Sequence, residues 1–231
     1  MEPDIRKFAE AVGIVFNQPN LLIQAFTHRS FLNEHRHLKH DHNERLEFLG
    51  DAVLELVVTN FLYRSYPDKP EGELTAYRAS LVNTTTLSEA AKSLNMNDYL
   101  LLSKGEAKDT GRARQYILAN TFEAFVGALY LDQGYEAAER FITDHLLYRM
   151  TEIISKNLWQ DAKSFFQEKA QEVQSVTPAY EVIKEVGPDH NKRFTVGVYL
   201  AGELVAEGEG HSKQEAEQEA ARTGLKTKGW G

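Results

Sequence analysis

The chain has 231 residues, 42% hydrophobic and 26% charged, ordinary values for a globular protein of one large or two modest domains. No apolar run approaches the ~20 residues that span a bilayer, Met1-Glu2-Pro3-Asp4 lacks a basic and apolar leader, and there is no cysteine. Membrane insertion, a disulfide framework, a thiolate metal site and a cysteine nucleophile are therefore not expected, and a cytoplasmic location is. The net charge of −8 argues against a nucleic-acid partner unless basic groups cluster locally.

In chain order, Asp4–Val12 and Asn20–Thr27 are short amphipathic segments. A long helix is predicted from about Asn43 to Tyr66, stopped by Pro67, which cannot continue it. Helical spacing repeats over Glu71–Leu94, and two more helices are predicted at about Gln115–Asp132 and Tyr135–Ile154. Between Leu94 and Gln115 lies a polar, glycine-containing loop, Lys104–Arg114, that carries Lys104, Lys108, Arg112 and Arg114. The period changes after Lys156–Asp161. A helix over Asp161–Val173 is followed by alternating strands: Tyr180, Val182 and Lys184, then Phe194, Val196, Val198 and Leu200, then Leu204, Ala206 and Gly208. Ala201-Gly202 is a plausible tight turn, and Ser212–Thr227 is helical again.

Within the long helix, Glu44, Glu47 and Asp51 fall at i, i+3 and i+7, on one stripe of an otherwise apolar pattern. Like charges so placed repel, and a hard divalent cation held by clustered carboxylate oxygens removes the conflict. The apolar residues between them (Leu46, Phe48, Leu49, Ala52, Val53) bury the helix and give the acids a rigid support.

The run His42-Asn43-Glu44-Arg45-Leu46-Glu47-Phe48-Leu49-Gly50-Asp51-Ala52-Val53-Leu54 resembles the signature of the ribonuclease III family, bacterial type. Ile117–Asp132, with Ala119-Asn120-Thr121-Phe122-Glu123 inside it, resembles the family's second acidic helix, and the α-β-β-β-α order of the last 70 or so residues resembles a double-stranded RNA-binding domain. The implied fold class is α + (α+β): an all-helical endonuclease domain over 1–155, a linker over 156–160 and an RNA-binding domain over 161–229.

Carried over by position, the resemblance implies a metal site of Glu47, Asp51, Asn120 and Glu123, with Asp51 and Glu123 catalytic. Glu44 would belong to the wider acidic cluster, and Glu71 matches another acidic position near the dimer's cleft. The family usually carries Asp where Asn120 stands. An amide oxygen can ligate Mg²⁺ or orient a water, but it brings no charge. Two readings follow: a working endoribonuclease, or a catalytically impaired double-stranded RNA-binding protein. The implied chemistry is hydrolysis of double-stranded RNA by metal-activated water, with Mg²⁺ or Mn²⁺ in its place. The products would carry 5′-phosphate and 3′-hydroxyl ends, and the setting would be processing of rRNA and other structured precursors. No side-chain nucleophile or organic cofactor is implied. Family members are homodimers whose two sites share one cleft. Phe48-Leu49-Gly50 fits such a seam, and on pattern alone it fits an intramolecular core equally well.

In the second domain, A-form RNA would be read by shape through 2′-hydroxyls and phosphates. The resemblance assigns Gln167 and Glu168 to a minor groove, and Pro188, His190 and Lys192 of the loop after the first strand to the next one. Ser212, Lys213 and Gln214 would meet phosphates at the start of the last helix, where the dipole favours an anion. Ser212 and Glu215 also form a Ser-x-x-Glu capping box. With 9 basic against 12 acidic residues over 160–231, this domain is expected to bind weakly. His35, His37, His40 and His42 have a spacing that can hold a transition metal, though a histidine-rich surface loop is the commoner explanation.

Overall fold

The computed structural model describes residues 3–38, 40–188 and 192–230, and its contacts divide into two compact units, 1–159 and 160–231. The first unit is helical: α1 (Arg6–Ala11), α2 (Pro19–Ala25), α3 (Arg29–Glu34), α4 (Glu44–Ser65), α5 (Glu71–Leu81), α6 (Thr84–Ser93), α7 (Arg112–Gln133), α8 (Tyr135–His145) and α9 (Met150–Ser155). Apart from a single bridge between Thr27 and Leu101, its described residues form no strand pairing.

Helices α4 and α7, of 22 residues each, are the central pair. Both bury apolar residues around much of their circumference, including Val53, Leu54, Val57, Val58 and Leu62 on α4 and Leu118, Phe122, Phe125 and Leu129 on α7. Edge-on rings seal one side: Phe8 lies 4.9 Å from Phe26 and 5.2 Å from Phe125, centroid to centroid. Asn43 fixes the start of α4 from below, its buried amide donating to the Ala25 carbonyl at 3.2 Å.

Two long helices expected from spacing are each broken. The 71–94 segment divides after Leu81 because Asn83 adopts an extended backbone and its side chain accepts the Thr86 N–H at 2.9 Å, capping α6 instead of continuing α5. The 135–154 segment breaks at Leu146, which with Leu147 turns two consecutive leucines into the core through a 3₁₀ turn, Leu147–Arg149.

The second unit comprises α10 (Ala162–Gln174), β1 (Ala179–Val186), β2 (Arg193–Leu200), β3 (Glu203–Gly210) and α11 (Lys213–Lys228), with an antiparallel sheet in the order β1-β2-β3. Its core joins Phe166 of α10, Val198 and Leu200 of β2, Ala206 of β3, and Ala220, Ala221 and Leu225 of α11. The two-residue loop between β2 and β3 is Ala201-Gly202, both at positive φ (+49° and +86°), as a tight hairpin turn requires. Of the alternating set Leu204, Ala206 and Gly208, only the last two are buried. A bulge opposite Val198/Tyr199 inserts Val205, so Val205 packs on the core while Leu204 is left exposed. Both helices carry side-chain N-caps, that of the second being the Ser212 expected from the sequence. Asp161 accepts from Ser164 N–H at 2.7 Å, and Ser212 accepts from Glu215 N–H at 3.1 Å.

Candidate active site

The site is built where α4 crosses α7. A Cβ placed on Gly50 would overlap the Glu123 carbonyl, and one placed on Gly127 would overlap the Leu46 carbonyl. The two glycines therefore let the helix backbones touch, and this close approach brings Glu47 and Asp51 of α4 opposite Asn120 and Glu123 of α7. Glu47 and Glu123 are half-buried at the crossing, while Asp51 is exposed.

Burial pushes the Glu123 carboxyl up to about 8, reinforced by the charges of Asp51 and Glu47. Burial also raises Glu47, with Glu44 and Asp51 adding to it, while the Asn120 amide donates to Glu47 and opposes the rise. Three carboxylates and one amide thus converge in mutual repulsion, a hard-oxygen donor set whose strain a divalent cation relieves. Among the described residues, no three His, Asp or Glu side chains close tightly enough to clasp an ion by themselves. The array is open-sided, and its donor chemistry fits a divalent metal.

The other expected site residues fall as follows. Glu44 sits at the rim, 3.4 Å from Arg29 and 3.8 Å from His42, and acts on Glu47 through its charge. Glu71 lies at the start of α5 and lines a groove of about 470 Å³ with Tyr63, Lys69 and Arg78. It is not among the groups that act on Glu47 or Glu123. Of the expected seam, Gly50 is buried against α7 and Leu49 is half-buried, whereas Phe48 is 81% exposed. The core reading is correct for Gly50, since the α7 backbone occupies the space beside it. His35 stacks on Phe31 and bonds its carbonyl at 2.9 Å, and among the described residues no three histidines gather into a ligand cluster.

In the second unit, Gln167 and Glu168 are exposed on α10. Pro188 is exposed beyond β1, and His190 lies outside the described residues. Lys192 precedes β2, Ser212 caps α11, and Lys213 and Gln214 are exposed on its first turn. Lys192 and Lys213 both reach Glu185 of β1, at 3.6 Å each.

A family model described as ribonuclease-III-like matches residues 18–150, and one described as a double-stranded RNA binding motif matches 162–228. The chain is 48% identical to Ribonuclease 3 of Enterococcus faecalis over 94% of both chains. It is 47% identical to Ribonuclease 3 of Geobacillus kaustophilus over 94% of this chain and 87% of that one. The chain belongs to the ribonuclease III family. It is a double-strand-specific endoribonuclease of a family of metal-dependent nucleases, with a helical nuclease domain followed by an RNA-binding domain. Among solved structures, the nuclease domain of ribonuclease III from Campylobacter jejuni is 40% identical with a TM-score of 0.56, covering 61% of this chain and 94% of that one. In that protein a region of the nuclease domain is involved in dimer formation.

Two features of the ribonuclease III site escaped the sequence reading. The Gly50–Gly127 contact had a signal: a glycine inside each acidic helix, where it costs about 1 kcal/mol relative to Ala and implies a packing reason. The Glu185 contacts had none, because a bulge between Val182 and Lys184 resets the strand's facing residues.

Proposed function

We propose that Glu47, Asp51 and Glu123, with the Asn120 amide oxygen, hold Mg²⁺, for which Mn²⁺ can substitute. The reaction is hydrolysis of double-stranded RNA to 5′-phosphate and 3′-hydroxyl ends, in the maturation of rRNA and other structured precursors. The observation that carries this reading is the convergence of Glu47 and Asp51 with Asn120 and Glu123 where Gly50 and Gly127 let the two helices touch, with burial and the Asp51 and Glu47 charges raising the Glu123 carboxyl. When bound, the cation lowers the pKa of a water and stabilises charge on the attacked phosphate.

The chain's own residues do the rest. Glu123 gives up its proton as the site fills, so loading is coupled to proton release. Asn120 holds Glu47 by an N–H donor, which orients that carboxylate and leaves the amide oxygen for the cation. Asp51, exposed, stands nearest the solvent from which RNA arrives. Glu44 and Glu71 belong to the outer acidic surface. Residues 1–155 form the endonuclease domain, 156–160 the linker and 161–229 the RNA-binding domain. That last domain meets duplex RNA through Gln167, Glu168, Pro188, His190, Lys192, Ser212, Lys213 and Gln214.

A homodimer completes the enzyme. Supporting it, Phe48 is 81% exposed in a groove where Leu21, Leu49 and Leu131 meet His42, Glu44 and Arg45, an apolar centre with a polar rim suited to isologous pairing. The impaired-protein reading is not favoured: Asn120 is engaged with Glu47, and the likeness to Ribonuclease 3 chains extends over both domains.

The test compares end-labelled duplex and single-stranded RNA of one sequence. Cutting confined to the duplex, with products that a 5′-phosphate-dependent exonuclease degrades, is the expected result. Products bearing 5′-hydroxyls would overturn the proposed chemistry.

A further inference from the structure

One carboxylate joins two lysines that come from separate elements of the second domain. Glu185 Oε2 lies 3.6 Å from Lys192 Nζ, just before β2, and its Oε1 lies 3.6 Å from Lys213 Nζ on the first turn of α11. Lys213 is further held 5.8 Å from the centroid of the Phe194 ring. All three charged groups reach solvent, with side chains 40%, 32% and 59% exposed for Glu185, Lys192 and Lys213. No packing need explains a carboxylate at that spot. It places a negative charge between the two lysines, on the surface that a polyanion would have to cover.

We propose that Glu185 is an affinity-setting residue: it competes with RNA phosphates for Lys192 and Lys213 and so weakens duplex binding. The proposal rests on the reading of these two lysines as RNA contacts. Its physical basis is exchange. Each phosphate that reaches a lysine must displace an ion pair already made, and the displaced carboxylate then faces the incoming phosphates. In a domain with 9 basic and 12 acidic residues, two lysines are a large share of the cationic surface, so this one residue has leverage. Weak duplex binding suits an enzyme that must release its product. It also makes discrimination depend on the catalytic domain.

The experiment measures binding of the full-length protein to a duplex longer than the ~16 bp one such domain spans, in EDTA so that nothing is cut, over a salt series. Glu185→Gln keeps the shape and removes the charge. It is expected to bind roughly 3- to 10-fold more tightly at low salt, as two exposed ion pairs allow. Its slope of log affinity against log salt should steepen by about one released counterion. In a Lys192→Ala/Lys213→Ala background the same substitution should give a clearly smaller gain, since only the direct repulsion between the carboxylate and the phosphates is left to remove. If the lysine variants weaken binding but Glu185→Gln matches the parent or binds less well, the RNA face stands and the competing role of Glu185 is overturned. If the lysine variants bind as the parent does, the RNA-contact reading fails and the proposal falls with it.

Discussion

Gly50 of α4 and Gly127 of α7 stand face to face: a Cβ on Gly127 would come 3.0 Å from the Gly50 nitrogen, and one on Gly50 would come 2.9 Å from the Gly127 nitrogen. The neighbours met first are main-chain carbonyls, which cannot swing aside as a side chain end would. Either glycine changed to alanine must therefore push the helices apart and separate Glu47 and Asp51 from Asn120 and Glu123. Gly127→Ala is expected to cost on the order of 1–3 kcal/mol of stability, the usual range for overpacking. Its cleavage rate should fall more than the folded fraction explains. Thermal melts beside cleavage rates check this, and a variant with parental stability and rate would contradict it.

The metal-free protein should lose stability as pH rises. The Glu123 carboxyl is raised in the folded state from 4.5 to about 8, mainly by burial and then by Asp51 and Glu47. Below about pH 4.5 both folded and unfolded chains hold this proton, and the contribution is fully present. Between there and about 8 the unfolded chain has released it and the folded chain has not, so rising pH progressively removes stability. Glu123→Gln has no proton to lose and should flatten this part of the profile in EDTA. A parent and variant with parallel Tm–pH curves would contradict the assignment.

Asn120→Asp adds a carboxylate to three already in conflict and removes the amide donor from Glu47. Without metal it should lower stability by about 1 kcal/mol, roughly 2–4 °C in Tm for a chain of this size. With Mg²⁺ the order should reverse, half-maximal cleavage being reached at a lower metal concentration. An unchanged metal requirement would show that position 120 does not face the cation.

Phe48 is a large apolar side chain that packing within its own unit does not explain, 81% exposed on a helix whose other large residues are mostly inside. Phe48→Glu should leave the fold intact and weaken self-association by on the order of 2 kcal/mol or more, as for a central interface aromatic. Light scattering over a dilution series would then show the monomer where the parent is a dimer. A variant that remains a dimer would place the interface elsewhere.

The parts of this molecule legible in its sequence are those where one residue's chemistry decides the local outcome. Pro67 ends α4, Ala201-Gly202 makes a hairpin, Ser212 caps α11, and period-two apolar spacing marks β2. The acids were legible because repulsion within one apolar helix needs an explanation, although matching them to a second helix depended on family resemblance. What was not legible depends on contacts distant in sequence. Asn83 could as well have stayed inside a long helix as capped a new one. The bulge that turns Leu204 outward is set by pairing with β2. Glu185 gains its meaning only when the loop before β2 and the start of α11 come together around it.

The most direct measurement is cleavage of a long perfect RNA duplex by the parent and by Glu123→Gln, each with Mg²⁺ and with EDTA. Glu123→Gln keeps the packing at the crossing and removes one charge from the donor set. Cutting to short duplexes by the parent with Mg²⁺, abolished by EDTA and reduced at least ~100-fold in the variant, is the expected result, since metal ligands and their immediate supports carry effects of that order. Cutting that persists in EDTA, or a variant as active as the parent, would contradict a metal-dependent site at the α4–α7 crossing.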